Sequence, residues 1–179
     1  MKLLRNTILL FCCLFFFACK KDNTNLPIND SDKKIKSLFK DAGNTNLKVE
    51  QKKIYYDSII NYISKRKNDS ITRDYYFQLA SEYYRQNDFD NSKTISRIAH
   101  RLSVEGKDTL AVAKALYYIG DCYEPTKKDS AFYYYLQAEK IYSKKKDYEN
   151  LGRMYLYKGG ILYNEGNYTE SEIEVSNAL

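Results

Sequence analysis

The sequence predicts an all-α fold, a solenoid of antiparallel helix pairs, on three observations. Apolar residues recur mainly three or four positions apart, the spacing that lines one face of an α-helix. Only two prolines and seven glycines interrupt the 179 residues. Similar segments return every 39–40 residues, and a fixed period of this size is typical of stacked structural repeats.

Residues 1–18 are predicted to be a signal peptide. Lys2 and Arg5 precede an uninterrupted apolar run from Ile8 to Ala18. A bilayer-spanning helix needs about 20 apolar residues, whereas the apolar part of a secretory signal has about 7–15. The run therefore indicates export.

Cys19 is the predicted lipidation site. Ala18 followed by Cys19 resembles the lipobox of bacterial lipoproteins, although Phe16 and Phe17 replace the residues usual before the alanine. The resemblance implies a palmitate-type anchor and a location on the periplasmic or cell-surface side of a membrane. A plain secretory signal and an uncleaved anchor are the alternatives.

Residues 19–34 are predicted to be a polar tether, because they contain Pro27 and no apolar period. Residues 35–66 are predicted to be a degenerate helical segment with one helix around Glu50 to Arg66. Neither segment shares the repeated pattern that follows.

Residues 67–179 are predicted to form three repeats, each a pair of helices. Asp69, Asp108 and Asp147 lie 39 residues apart, each before an amphipathic run, and are expected to be helix N-caps. Small residues recur where paired helices would cross closely. The columns are Ser81, Gly120 and Gly160; Ser92, Ala131 and Ser171; and Ala99, Ala138 and Ala178.

The columns resemble the tetratricopeptide (TPR) repeat. The second repeat carries the pattern best, in Leu116, Gly120, Tyr123, Ala131, Tyr135 and Ala138. The period exceeds the 34 residues usual in that family. The resemblance implies a right-handed superhelix whose concave surface is lined by the first helix of each repeat.

Carried over by position, that surface is expected to bind a protein or peptide. A mixture of aromatic rings and charges of both signs suits this kind of recognition. The expected contact residues are Tyr75, Gln78, Glu82, Arg85, Lys114, Tyr117, Asp121, Glu124, Met154, Tyr157, Ile161 and Asn164.

The aromatic stretch from Asp129 to Tyr142 has two interpretations. Single-stranded nucleic acid stacks on exposed rings beside basic residues. However, helical geometry places Tyr135 and Tyr142 on the same stripe as Ala131 and Ala138, which favours packing. Tyr133 alone is expected to point away from that stripe.

Residues suited to catalysis are sparse. His100 is the one histidine, so a histidine-based metal cluster or a histidine-assisted nucleophile cannot be assembled. Cys122 is expected to be a small buried side chain. We expect no enzymatic activity, no cofactor and no metal site.

The sequence thus predicts a non-enzymatic, lipid-anchored scaffold of the bacterial cell envelope. Its charge of +6 is spread among acids, which is typical of solvated helix faces and does not favour nucleic acid. Such a chain resembles the N-terminal sensory part of signalling regulators that continue into a histidine kinase or a LuxR-type domain. The alternative is a lipoprotein subunit of an outer-membrane assembly complex.

The third repeat is interrupted within its second helix, at Leu179, where the last two residues are apolar. Stacked repeats normally end in a polar capping helix. We expect either that the chain is part of a longer protein or that a partner covers this end.

Overall fold

The computed structural model describes residues 30–178, and this part of the chain is helical without strands. The signal peptide, Cys19 and residues 19–29 of the tether lie outside it. The helices are α1 (Asp30–Ala42), α2 (Val49–Ile63), α3 (Ser70–Arg85), α4 (Phe89–Glu105), α5 (Thr109–Tyr123), α6 (Lys128–Lys145), α7 (Tyr148–Asn164) and α8 (Tyr168–Asn177). Within these residues no helix is both long and apolar enough to cross a membrane.

The helices stack in chain order, and this confirms the predicted all-α solenoid. Each helix packs mainly on its neighbours in sequence, as α3 does on α4 and α5 on α6. The first helices of successive repeats, α3 and α5, also touch. The fold therefore grows along one direction, and each helix pair covers the apolar side of the pair before it.

The N-terminal boundary differs from the prediction. A tether to residue 34 and a single helix after it were expected, but α1 already begins at Asp30 and pairs with α2. Ile35, Leu38, Phe39 and Ala42 form an apolar stripe with helical spacing, and all four are buried. Residues 30–63 are therefore a complete helix pair.

The predicted N-caps are confirmed. The side chain of Asp69 accepts a hydrogen bond from the backbone N–H of Thr72 at 2.8 Å, which satisfies a free donor of the first turn. Asp108 and Asp147 accept equivalent bonds at 3.1 and 3.2 Å, three residues further along. The start of the first helix in each repeat is thus fixed locally.

The packing interpretation of the aromatic stretch is also confirmed. Ala131, Tyr135, Ala138 and Tyr142 on α6 are all buried, whereas Tyr133 is 58% exposed. The rings of this helix therefore belong mainly to the core between repeats.

The crossing positions on the first helices are Ala80, Gly120 and Gly159, and the predicted Ser81 and Gly160 are each wrong by one residue. Ser92 Oγ donates to Ala80 O at 2.9 Å, and Ser171 Oγ donates to Gly159 O at 2.8 Å. A Cβ on Gly160 would meet nothing within 4 Å, so this glycine makes no close contact.

The first helices differ in how far they continue after their crossing residue. α5 ends at Tyr123, three residues after its crossing glycine, with Pro125 beyond it. α3 and α7 continue for five residues after theirs, to Arg85 and Asn164. A register carried over from the end of α5 therefore misplaces the crossing residues of α3 and α7 by one position.

Candidate functional site

Three of the twelve predicted contact residues lie in the core, so a partner cannot reach them on a surface. Tyr75 is 6% exposed, because its ring stacks on Phe39 at 6.2 Å and its hydroxyl donates to Asp32 at 3.2 Å. Met154 and Ile161 are buried in the core cluster around α6 and α7.

The other nine residues are exposed or partly exposed, and we call them the first-helix face. They are Gln78, Glu82, Arg85, Lys114, Tyr117, Asp121, Glu124, Tyr157 and Asn164. The structure brings several of these together. Gln78, Glu82 and Arg85 of α3 line one shallow cavity with Lys114 of α5.

A larger cavity of about 580 Å³ lies beside this face, between α3, α5 and α7. Phe77, Tyr117 and Tyr118 supply its aromatic wall, and Lys114 lies at its edge. The ammonium group of Lys114 sits 4.5 Å from the centre of the Phe77 ring, a cation–π arrangement. The cavity therefore offers apolar surface and charge together.

Of the residues that line this cavity, only Lys114 and Tyr117 are among the predicted contacts, and Asp74 and Arg153 are two of those that the prediction missed. Asp74 and Arg153 occupy the positions on α3 and α7 that Lys114 occupies on α5, once the helices are aligned on their crossing residues. The one-residue error in the predicted crossing residues placed Tyr75 and Met154 on the face and left out Asp74 and Arg153. The same count from the observed crossing residues, Ala80 and Gly159, reaches Asp74 and Arg153.

Two tyrosines form the centre of the first-helix face. The rings of Tyr117 and Tyr157 stack at 5.4 Å with an interplanar angle of 17°, and their hydroxyl oxygens lie 3.3 Å apart. Tyr135 of α6 stacks on Tyr157 from below, also at 5.4 Å. Tyr157 is 40% exposed. The pair thus joins two repeats and still presents an aromatic edge to solvent.

Asp121 lies beneath these rings and accepts a hydrogen bond from the Tyr135 hydroxyl at 2.7 Å. Burial raises the pKa of its carboxyl to about 7, although hydrogen bonds from Tyr135 and Tyr117 act in the opposite direction. Glu124 nearby raises it further. The same burial raises the pKa of both tyrosines.

Cys122 has the surroundings of a packed thiol. It is 3% exposed, its thiol donates to Ser92 Oγ at 3.2 Å, and burial raises its pKa. Reactive thiols have a lowered pKa. Across residues 30–178, no group of three or more His, Cys, Asp or Glu side chains is placed to hold a metal ion.

No family model and no curated protein sequence matches the chain. A match to a solved structure exists in the crystal structure of BtubC (BKLC) from P. vanneervenii, with a TM-score of 0.65 and 17% identity. The match covers 82% of this chain and 60% of that one, so the chain spans less than two thirds of that structure's length. At this identity the likeness concerns the fold alone.

Proposed function

We propose that the chain is a non-enzymatic scaffold of the bacterial cell envelope that binds a segment of another protein along its first-helix face. One observation carries the proposal: the stacked pair of Tyr117 and Tyr157, of which Tyr157 is exposed, lies next to a cavity with both aromatic and charged walls. Aromatic anchors with charges around them are what protein interfaces use for affinity and orientation.

The chemistry of the cavity suits a peptide or helix that carries both apolar and charged side chains. An apolar side chain of the partner would pack against the partly exposed rings of Tyr117 and Tyr118. Arg153 pairs with Glu149 at 2.7 Å in a bridge whose side chains are 52% and 78% exposed. Such an exposed pair contributes little to stability, so either member can pair with the partner instead.

The binding surface is tested by photo-crosslinking in the cells that make the protein. A benzophenone amino acid in place of Gln78 or Tyr157 is expected to yield an adduct of defined mass with one partner. The matched control is the same replacement at Tyr133, which is at least as exposed as Tyr157 but lies on a second helix. An adduct obtained from Tyr133 in equal yield would contradict the proposal.

We further propose that acylation of Cys19 holds the solenoid at a membrane surface, as the sequence around this residue predicts. The Cys19→Ser variant should move from the membrane fraction to the soluble fraction. Unchanged membrane retention would refute the lipid anchor without bearing on the first-helix face.

A further inference from the structure

The first helix pair carries an excess of positive charge that the later repeats lack. Residues 30–67 contain ten lysines and arginines against five aspartates and glutamates, whereas residues 68–178 contain 15 against 17. Residues 1–29 add four basic residues and one acid, so the sequence before the pair does not offset this excess. The positive charge of the protein is therefore concentrated towards its N-terminus.

Helix α1 carries part of this charge as a stripe along one face. Lys33, Lys36 and Lys40 have the i, i+3, i+7 spacing of a helix face, opposite the buried residues of the same helix, and all three are exposed. Lys33 lies 3.6 Å from the carboxylate of Asp30, in a pair whose side chains are 67% and 98% exposed. Within residues 30–178, Lys36 and Lys40 make no ion pair.

Two more lysines lie near the start of this helix. Arg66, just after α2, pairs with Asp32 of α1 at 2.8 Å, which places the end of α2 beside the start of α1. Lys65 and Lys67 flank this arginine and are exposed. Lys67 lies 3.9 Å from Asp69, but its side chain is 86% exposed. We call Lys33, Lys36, Lys40, Lys65 and Lys67 the basic end.

The arrangement of the basic end suits an extended layer of negative charge. Lys33 and Lys40 lie about 10 Å apart along the helix axis, at a rise of 1.5 Å per residue, so one small anion does not reach both. Because the apolar side of α1 is buried in the core, the contact is electrostatic and inserts no apolar side chain. Each lysine near an anionic lipid surface raises the affinity about fivefold.

The position of the basic end in the chain favours a lipid surface over an acidic protein. The chain from Cys19 to Asp30 spans at most about 40 Å when fully extended. An acyl anchor on Cys19 therefore keeps α1 within that distance of the membrane, and docking becomes an intramolecular event. This choice of partner rests on the proposed anchor, whereas the charge of the basic end does not.

We propose that the basic end docks on an anionic lipid surface through its lysines. The stripe on α1 lies opposite the side of this helix that packs on α2 and, through Phe39 and Tyr75, on α3. Docking therefore leaves the first-helix face free for its own partner. The stack of helices then extends outward from the membrane, with α1 nearest to the lipid.

The test uses the chain from Lys20 onward, which lacks Cys19 and the predicted signal peptide. Both hydrophobic core clusters lie within residues 35–161, so this chain keeps the packed fold. Its sedimentation with vesicles of phosphatidylglycerol and phosphatidylcholine in equal parts is compared with its sedimentation with phosphatidylcholine alone. We expect binding to the anionic vesicles only, and loss of that binding at about 1 M salt, where the screening length is about 3 Å.

Two matched variants locate the binding surface. Lys33→Gln/Lys36→Gln/Lys40→Gln removes three charges from the stripe and should lower the partition onto anionic vesicles at least about tenfold. Changing the three exposed lysines of residues 144–146, at the end of α6, to glutamine removes the same charge and should lower it less than about threefold. Circular dichroism should show equal helix content in both variants.

Three results would overturn the proposal. One is no sedimentation with the anionic vesicles at low salt. Another is an equal loss in both triple variants, because overall charge would then explain the binding. The third is binding to polyglutamate in place of vesicles, which would assign the basic end to an acidic protein. None of these results depends on acylation, and fractionation of Cys19→Ser at about 1 M salt reports on the anchor alone.

Discussion

Replacing Asp121 by asparagine is expected to remove a large pH dependence from the stability of the fold. The carboxyl has a pKa of about 7 in the folded chain, against an ordinary value of 3.8. Between these values the folded chain keeps a proton that the unfolded chain has released. The contribution of the protonated carboxyl to the unfolding free energy is therefore fully present below pH 3.8 and is lost as the pH rises through 7.

The magnitude follows from the interval between the two pKa values. At about 1.4 kcal/mol per pH unit, the interval corresponds to about 4 kcal/mol of unfolding free energy. Asparagine has nearly the same shape and can still accept the hydrogen bond from Tyr135, but it does not ionise. Relative to Asp121→Asn, the natural chain should therefore become less stable by several kcal/mol between pH 4 and pH 8.

Urea unfolding of both proteins across this pH range, followed by circular dichroism at 222 nm, measures the difference directly. The other titrating groups are the same in both proteins, so their contributions to the difference in unfolding free energy cancel. A difference that stays constant within about 0.5 kcal/mol would refute the reasoning, because it would mean that the carboxyl titrates alike in the folded and unfolded chain.

Two further predictions concern the contacts between helices. Gly120→Ala should lower the unfolding free energy by about 1–3 kcal/mol through its clash with the ring behind it, whereas Gly160→Ala should raise it by about 1 kcal/mol. Equal effects in urea unfolding would contradict the assigned crossing positions. Lys158→Met should lower the unfolding free energy by about 3 kcal/mol, because it leaves two glutamates largely buried without their cation. A loss below about 1 kcal/mol would show that water solvates those carboxylates.

Local signals in the sequence were enough to predict the solenoid and the start of the first helix in each of the three repeats. An aspartate N-cap acts on its own first turn, so Asp69, Asp108 and Asp147 could be assigned without tertiary information. The buried stripe around Tyr135 follows from helical periodicity in the same way. These features depend only on neighbours in the chain.

The candidate site was less predictable, because it depends on where helices cross. The crossing residues of α3 and α7 are Ala80 and Gly159, one residue before the predicted ones, and this difference places Tyr75 and Met154 in the core and Asp74 and Arg153 at the cavity. The burial of Lys158 likewise depends on tertiary packing and could not be predicted from the sequence. As a lysine it is expected at the surface, yet it is 3% exposed between carboxylates of α6 and α8.

The most direct test of the proposed function is hydrogen exchange of the chain alone and in complex with the partner that the crosslinks identify. Binding along the first-helix face should protect amides in residues 74–85, 114–124 and 153–164. Exchange around Tyr133 on α6 should remain unchanged. Protection confined to α4 and α6, with the first helices exchanging as in the free chain, would contradict the account.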